Sequence, residues 1–363
     1  MSTLKNLLDK SSLSREDIIL LLQAEGEAMQ DLFRKATEVK RFYVQDKVYF
    51  RGLIEFSNIC SKNCYYCGIR RDNHNVERYY IDKEEVLKEA RWCFEQHYGS
   101  LTIQAGERSD KSWIDYIEEL VKEIKTLTDG KMGITLSLGE QSEETYRRWF
   151  EAGAHRYLLR IETSNPELYK SLHPAENSFE NRLECIRSLK KIGYQVGSGV
   201  MIGLPNQTME DLADDILFFY DEDIDMIGMG PFIPHHQTPL AYLLATFHPE
   251  EALEQALKMI AATRIALKDV NIASTTALQA LHPKGRELGL LAGANVLMPN
   301  ITDTRFREGY QLYEGKPGLN ENALAIRKAL EESIYSIGES IGYDEWGDSP
   351  HFKNKKNTPS ENL

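Results

Sequence analysis

The run Val48-Tyr-Phe-Arg-Gly-Leu-Ile-Glu-Phe56 passes through Ser57-Asn-Ile59 directly into Cys60-Ser-Lys-Asn-Cys64-Tyr-Tyr-Cys67. A β-rich run that releases three thiols from its carboxyl end places reactive groups where parallel α/β folds gather their active sites. The same run opens a series. Similar runs follow at Ser100 to Ala105, Gly133 to Leu138, Arg156 to Thr163, Gln195 to Leu204, Met226 to Ile233, Asn271 to Ala277 and Ala294 to Met298, most of them followed at once by Gly, Pro or Ser. Helical apolar spacing fills the gaps at 82–97, 112–127, 142–152, 178–193, 208–221, 250–267 and 284–292. Alternation this regular implies right-handed parallel crossovers, so the expected fold is α/β: a closed (β/α)₈ barrel of the TIM type, with an open doubly wound sheet as the alternative.

Outward from the barrel, residues 14–42 repeat apolar positions at helical spacing (Ile18, Leu21, Leu22, Met29, Leu32, Phe33), led by Ser14 and Asp17 as a capping pair. A second helical pattern runs from Ala323 to Ile341, and the polar stretch Asp348 to Leu363 is expected to fray. The expected organisation is a helical lead-in over 1–47, one catalytic barrel over 48–315, a helical segment over 316–347 and a polar tail over 348–363. The 363 residues carry 43 basic and 56 acidic side chains, a net charge of −13, which argues against a nucleic-acid partner. A hydrophobic share of 42% is enough for a substantial core. No window approaches the roughly 18 consecutive apolar residues of a membrane span. The start, Met1 to Arg15, lacks the pattern of a secretory signal, and the expected location is the cytoplasm.

Five cysteines occur, and Cys60, Cys64 and Cys67 fall within eight residues, unlike a disulfide framework and like a metal or cluster site in a reducing compartment. Three thiolates can hold three irons of a [4Fe–4S] cluster and leave the fourth without a protein ligand. A small molecule with an amine and a carboxylate on one carbon can chelate that iron. The alternatives are a zinc loop with His74 as fourth ligand, although His74 has no partner at zinc-finger spacing, or a non-catalytic iron–sulfur or zinc protein that delivers its metal. Other candidates sit near the ends of later runs: Gly106 and Glu107, Ser137 and Glu140, Glu162 and Thr163, and Arg182 at a helix start. Each has a bland reading, a turn glycine, a solvated acid or a surface ion pair. Cys93 and Cys185 lie inside helical patterns, where cysteine packs as a small hydrophobe.

The CxxxCxxC spacing with Tyr66 before the last cysteine resembles the signature of the radical SAM superfamily. The Gly106-Glu107 pair resembles the Gly-Gly-Glu type segment that meets the methionine ammonium there. The resemblance narrows with Cys67-Gly-Ile-Arg-Arg-Asp-Asn73, Arg78-Tyr79, Leu136-Ser-Leu-Gly-Glu140, Arg156-Tyr-Leu-Leu-Arg160, Phe179-Glu-Asn-Arg-Leu183, Met201-Ile-Gly-Leu-Pro-Asn-Gln-Thr208, Gly228-Met-Gly-Pro-Phe-Ile-Pro-His235, Thr275-Thr-Ala277 and Gly293-Ala-Asn-Val-Leu-Met-Pro-Asn300. From about Val48 to Gly315 these look like the HydE-type [FeFe]-hydrogenase maturases, relatives of biotin synthase and methylornithine synthase.

The resemblance implies a barrel that encloses S-adenosylmethionine (SAM) and uses one electron from the cluster to form a 5′-deoxyadenosyl radical. It implies cofactor contacts from Tyr66, Gly106, Glu107, Ser137, Glu140, Glu162 and Arg182. It also implies an anion-binding cavity lined by Arg156, Arg160, Thr275 and Thr276 for a small organometallic iron–cysteine precursor. Reduced ferredoxin or flavodoxin is the implied electron donor, and other hydrogenase maturases are possible partners. The alternative activity is that of a radical SAM mutase or lyase on an amino acid, as in methylornithine synthase. Two departures stand out. Relatives carry second-cluster cysteines after Tyr310-Gln-Leu-Tyr313, and this chain has none there, which implies a single cluster. Ile161 stands where a histidine is expected, which would make a polar cavity wall apolar.

Overall fold

The computed structural model describes residues 7–357; residues 1–6 of the lead-in and 358–363 of the tail lie outside it. Eight parallel strand positions follow one another around a sheet in the order β10 (Val296–Leu297), β1 (Lys47–Ser57), β2 (Ser100–Ala105), β3 (Gly133–Ser137), β4 (Arg156–Leu158), β5 (Gln195–Ser198), β7 (Met226–Ile227) and β9 (Asn271–Ile272). The last seam is closed by the parallel bridge between Ala273 and Val296. Flanking it, the Asn295 N–H donates to the Ile272 carbonyl and the Ser274 N–H to the Val296 carbonyl, both at 2.9 Å. The expected eight-run barrel is therefore the observed one. β6 (Met201–Ile202) and β8 (Gly230–Pro231) continue the fifth and sixth runs beyond the main sheet and pair with each other.

β1 shows why the barrel has both a core and a chamber. Its side chains alternate, so Leu53 and Glu55 face inward to a cavity while Ile54 and Phe56 face the helices. Phe56 stacks on Trp113 of the helix Lys111–Leu127 with ring centroids 5.2 Å apart. Burying an aromatic of this size is worth about 1.5–3 kcal/mol. From residue 15 on, the lead-in forms the helices Arg15–Leu22 and Gly26–Tyr43, the second beginning at Gly26 with φ +54°. Ser14 and Asp17 form the expected capping box. Both helices pack on the long helix Pro249–Leu267.

Four sequence expectations change. The run Asn271 to Ala277 stops pairing at Ala273, Thr275 becomes the N-cap residue, and a helix occupies Thr276–Leu281; hydroxyl residues that suit a strand also suit a helix start. A helix Pro166–Leu172, capped by Asn165 with Pro166 in its first turn, lies where no helix was expected. The helical pattern Ala323 to Ile341 ends at Ser336, and Ser340–Ile341 forms β11, which pairs with the start of β1.

The fourth concerns the tail. Residues 345–349 seal the floor of the barrel, so the tail is fixed at its start, from Asp348, instead of fraying there. The Gly347 carbonyl accepts from Arg51 Nη2 at 3.2 Å and Asn271 Nδ2 at 2.8 Å, and Asp348 Oδ1 accepts from Arg156 Nη2 at 2.9 Å. The helix Pro350–Asn357 then docks beneath, where His351 faces Asp223 at 2.8 Å and Asp269 at 3.1 Å.

These two hydrogen bonds, with Asp223 first, raise the His351 pKa to about 9. A raised folded-state pKa means the contribution is complete below the free histidine value of about 6.5 and is lost as pH rises through about 9. Thermal midpoints measured from pH 6 to pH 10 are expected to fall more steeply for the unchanged chain than for His351→Gln. Parallel curves would show that this docking is not proton-linked.

Candidate active site

The cysteine loop is fastened to the carboxyl end of β1 by two side chains. Asn58 donates from Nδ2 to the carbonyls of Glu77 at 2.7 Å and Gly309 at 2.8 Å, and its Oδ1 accepts the Tyr79 N–H at 2.8 Å. Arg78 threads through the loop, donating to the carbonyls of Asn58, Ile69, Arg70 and Asn73 at 2.6 to 3.0 Å. A guanidinium has five donors in a fixed fork, which suits a post that organises several turns at once. Neither Asn58 nor Arg78 was identified from sequence as a loop anchor, because a lone polar residue in a loop carries no mark of burial.

Cys60, Cys64 and Cys67 open into a cavity of about 380 Å³ on the carboxyl side of the barrel. All three are free thiols, and burial pushes each upward from the ordinary cysteine value, Cys64 to about 12. Such thiols ionise when a metal takes the place of their protons. Among the described residues, the one set of three His, Cys, Asp or Glu donors within 4.8 Å of one another is His235, His236 and Glu314, so at least one pair of the three sulfurs stands farther apart than that. Zinc at about 2.3 Å from each sulfur would need them roughly 3.8 Å apart. At least one separation is thus too long for a single zinc ion as the thiols stand. The His235 and His236 rings stack at 4.7 Å and 16°, and His236 Nδ1 is paired with Glu314 Oε2 at 2.6 Å.

Three cations and three carboxylates interlock beside the loop. Arg182 Nε donates to Glu140 Oε1 at 2.6 Å, and Arg182 Nη1 donates to the Arg160 carbonyl at 2.9 Å. Lys62 bridges Glu140 at 2.9 Å and Glu107 at 3.3 Å, and Arg160 pairs with Glu162 at 3.0 Å. Burial works against the charge on Glu140, but Arg182 and Lys62 overcome it and hold that carboxyl below its ordinary range. At Glu107 burial wins and pushes the carboxyl up.

Backbone strain aims two of these groups. Glu162 sits at φ +69°, held by its N–H to the Gly199 carbonyl at 3.0 Å and by the Met201 N–H to its own carbonyl at 2.9 Å. Gly139, at φ +76°, leaves room for Glu107: a Cβ there would lie 2.2 Å from the Glu107 carboxylate.

Of the residues expected to contact a cofactor, Tyr66, Gly106, Glu107, Ser137, Glu162 and Arg182 line this cavity with the cysteines, and Glu140 stands behind Arg182. Arg160, Thr275 and Thr276 line it too. Arg156 does not. It lies at the amino end of β4, fully buried against Asp348 and the Trp346 carbonyl in the barrel floor. Ile161 is fully buried and also stands outside the cavity wall.

Sequence reasoning missed Arg286. Its Nη2 donates to Thr276 Oγ1 at 3.1 Å, while its Nε and the Thr275 hydroxyl are buried without partners in the same wall. It also missed Glu55 and Lys316, a buried pair at 2.5 Å joined by Asn300, which ties the segment after the barrel to β1.

Comparison with known proteins agrees with this geometry. The radical SAM superfamily matches residues 54–219. The [FeFe] hydrogenase maturase subunit HydE of Thermotoga maritima is 46% identical over 344 residues, covering 94% of this chain and 95% of that one. The 3-methylornithine synthase of Methanosarcina acetivorans is 26% identical, covering 85% of this chain and 86% of that one. The crystal structure of a methylornithine synthase (PylB) shares the fold at a TM-score of 0.80 and 24% identity, over 94% of this chain and 97% of that one. Three thiols at the rim of a parallel barrel, facing a cavity ringed by paired charges, thus coincide with a relative of nearly full length: the chain is a radical SAM enzyme and belongs to the HydE maturase family.

Proposed function

We propose that this chain cleaves SAM reductively at one [4Fe–4S] cluster held by Cys60, Cys64 and Cys67, and that it does so in the assembly of the [FeFe]-hydrogenase H-cluster. The observation that carries this reading is that the three thiols share one cavity with a wall that holds unpaired buried donors. When bound, the cluster supplies the electron that splits SAM into methionine and a 5′-deoxyadenosyl radical. The chain's own residues bind, orient and exclude water. Gly106 and Glu107 offer backbone and carboxylate to the methionine ammonium, Arg182 with Glu140 and Glu162 frame the amino-acid and ribose ends beside Ser137, and Tyr66 closes the loop side. Arg160, Thr275 and Thr276, joined by Arg286, face an anionic iron–cysteine substrate.

Cys93 and Cys185 are buried in helices, which supports a single cluster. No helix among the described residues is long and apolar enough to cross a membrane. We read the enzyme as cytoplasmic, reduced by ferredoxin or flavodoxin, and working beside other maturases.

Anaerobic reconstitution with iron and sulfide is expected to give about four irons per chain. Dithionite and SAM are then expected to yield 5′-deoxyadenosine, and the loaded protein to restore activity in a hydrogenase maturation mixture lacking its own HydE. Nucleoside formation without that restoration, together with rearrangement of added lysine, would overturn the maturase role and favour an amino-acid mutase.

A further inference from the structure

Glu162 holds a left-handed backbone, at φ +69°, which a non-glycine residue keeps only where its surroundings fix it from both sides. One side is the parallel bridge to Val200, flanked by the bonds to Gly199 and from Met201 described above. The other side lies in the residues that follow. The Ser164 N–H and the Ser164 hydroxyl both donate to Asp215 Oδ1, at 2.6 and 2.7 Å. The Asn165 N–H donates to Thr163 Oγ1 at 3.2 Å, and Asn165 Nδ2 donates to Asp211 Oδ1 at 2.7 Å.

Asp211 and Asp215 stand one turn apart on the helix Met209–Asp221 and so share a face of it. For the helix alone the pair is a poor choice. Two acids at this spacing repel, Asp215 is fully buried, and its Oδ2 has no partner among the described residues. Burial pushes the Asp215 carboxyl up to about 7 against the pull of the Ser164 donors. A local rule broken at a cost in stability marks a place where position matters more than folding. What the two carboxylates hold is the turn that leaves Glu162, whose side chain lines the cavity with the cysteines and pairs with Arg160. Released at Ser164, Glu162 is free to relax to an ordinary negative φ, which swings its Cα–Cβ bond off its present line.

We propose that Asp215 is a positioning residue for SAM binding: by gripping the turn at Ser164 it keeps Glu162 in its left-handed conformation and its carboxylate in the cavity. This rests on the reading that Glu162 contacts SAM.

The test is the SAM dissociation constant of the anaerobically reconstituted protein, measured by equilibrium dialysis, alongside amide hydrogen exchange over residues 162–165 in the protein without its cluster. Asp215→Leu, which fills the space without an acceptor, is expected to weaken SAM binding about tenfold and to speed exchange there. Asp215→Asn keeps an acceptor oxygen and is expected to restore exchange, with SAM binding within about twofold of the unchanged chain. Because the effect passes through Glu162, Asp215→Leu added to Glu162→Ala is expected to cost no further affinity. Ser164→Ala removes one donor and leaves the helix untouched; it is expected to weaken SAM binding about threefold, again only while Glu162 is present. Unchanged affinity in Asp215→Leu overturns the proposal. So does a loss that adds in full to that of Glu162→Ala, the mark of general damage. Unchanged affinity in Ser164→Ala decides against it even if Asp215→Leu does not fold. A Glu162→Ala protein that binds SAM as tightly as the unchanged chain would instead remove the contact on which the proposal stands.

Discussion

A Cys64→Ala chain, reconstituted under the same anaerobic conditions, is expected to lose the visible absorbance of the cluster and to form 5′-deoxyadenosine at least about a thousandfold more slowly, equivalent to ~4 kcal/mol on the barrier. The reason is geometric. The three thiols are set by a loop that Asn58 and Arg78 hold against β1, and no other cysteine is near enough to stand in, since Cys93 and Cys185 are buried in helices. The fold itself should survive. Cys64 is a partly exposed thiol on the cavity wall, with one long contact to Asn177, so its truncation removes little packing. Circular dichroism unchanged beside an absent cluster is the expected pair of results. Cluster absorbance and nucleoside yield equal to those of the unchanged chain would show that Cys64 is not a ligand.

Arg182→Ala is expected to damage both stability and binding. Arg182 is 7% exposed and Glu140 8%, and the guanidinium holds the Glu140 carboxylate with one arm and the Arg160 carbonyl with the other. Removing it leaves Glu140 to Lys62 and Asn181 alone, inside a wall that already pushes Glu107 upward. Taking one partner from a buried pair costs about 3–5 kcal/mol. For a chain of this size that corresponds to a fall in thermal midpoint of about 4–7 °C. The carbonyl of Arg160 would also lose its anchor two residues before the strained Glu162. SAM affinity measured by equilibrium dialysis is therefore expected to drop more for Arg182→Ala than for Glu140→Gln. Arg182→Lys should recover stability better than binding, because an ammonium cannot reproduce the two-armed fork. A thermal midpoint within about 1 °C of the original for Arg182→Ala would contradict the buried network as described.

The cysteine loop was legible because everything about it is local: a strand, then three thiols at fixed spacing. The eight runs were legible for the same reason, since strand alternation and helical spacing repeat within a dozen residues or so. What escaped was long-range or ambiguous. Arg156 reads as one more strand arginine until Asp348 is found beside it, and the two are 192 positions apart. Thr275 and Thr276 have the composition of a strand, and only the end of pairing at Ala273 turns them into a helix start that faces the cavity. Asn165-Pro166 did carry a helix signal, hidden because the β-rich run ending at Thr163 drew the reading towards a loop. Arg286 gave no sign, because its distinction is the absence of an acidic partner, a property of the folded wall alone.

The floor seal made by residues 345–349 bears on how the enzyme comes into being. The strands β1 to β10 are complete by Leu297, so the barrel can pair while the stretch that plugs its base is still being translated. A reactive chamber is thus finished by a stretch that emerges only after all of its barrel strands. A polypeptide stopped short of Trp346 would be a vessel without a bottom, with Arg51 and Arg156 bared to water and nothing to keep solvent from climbing towards the nucleoside.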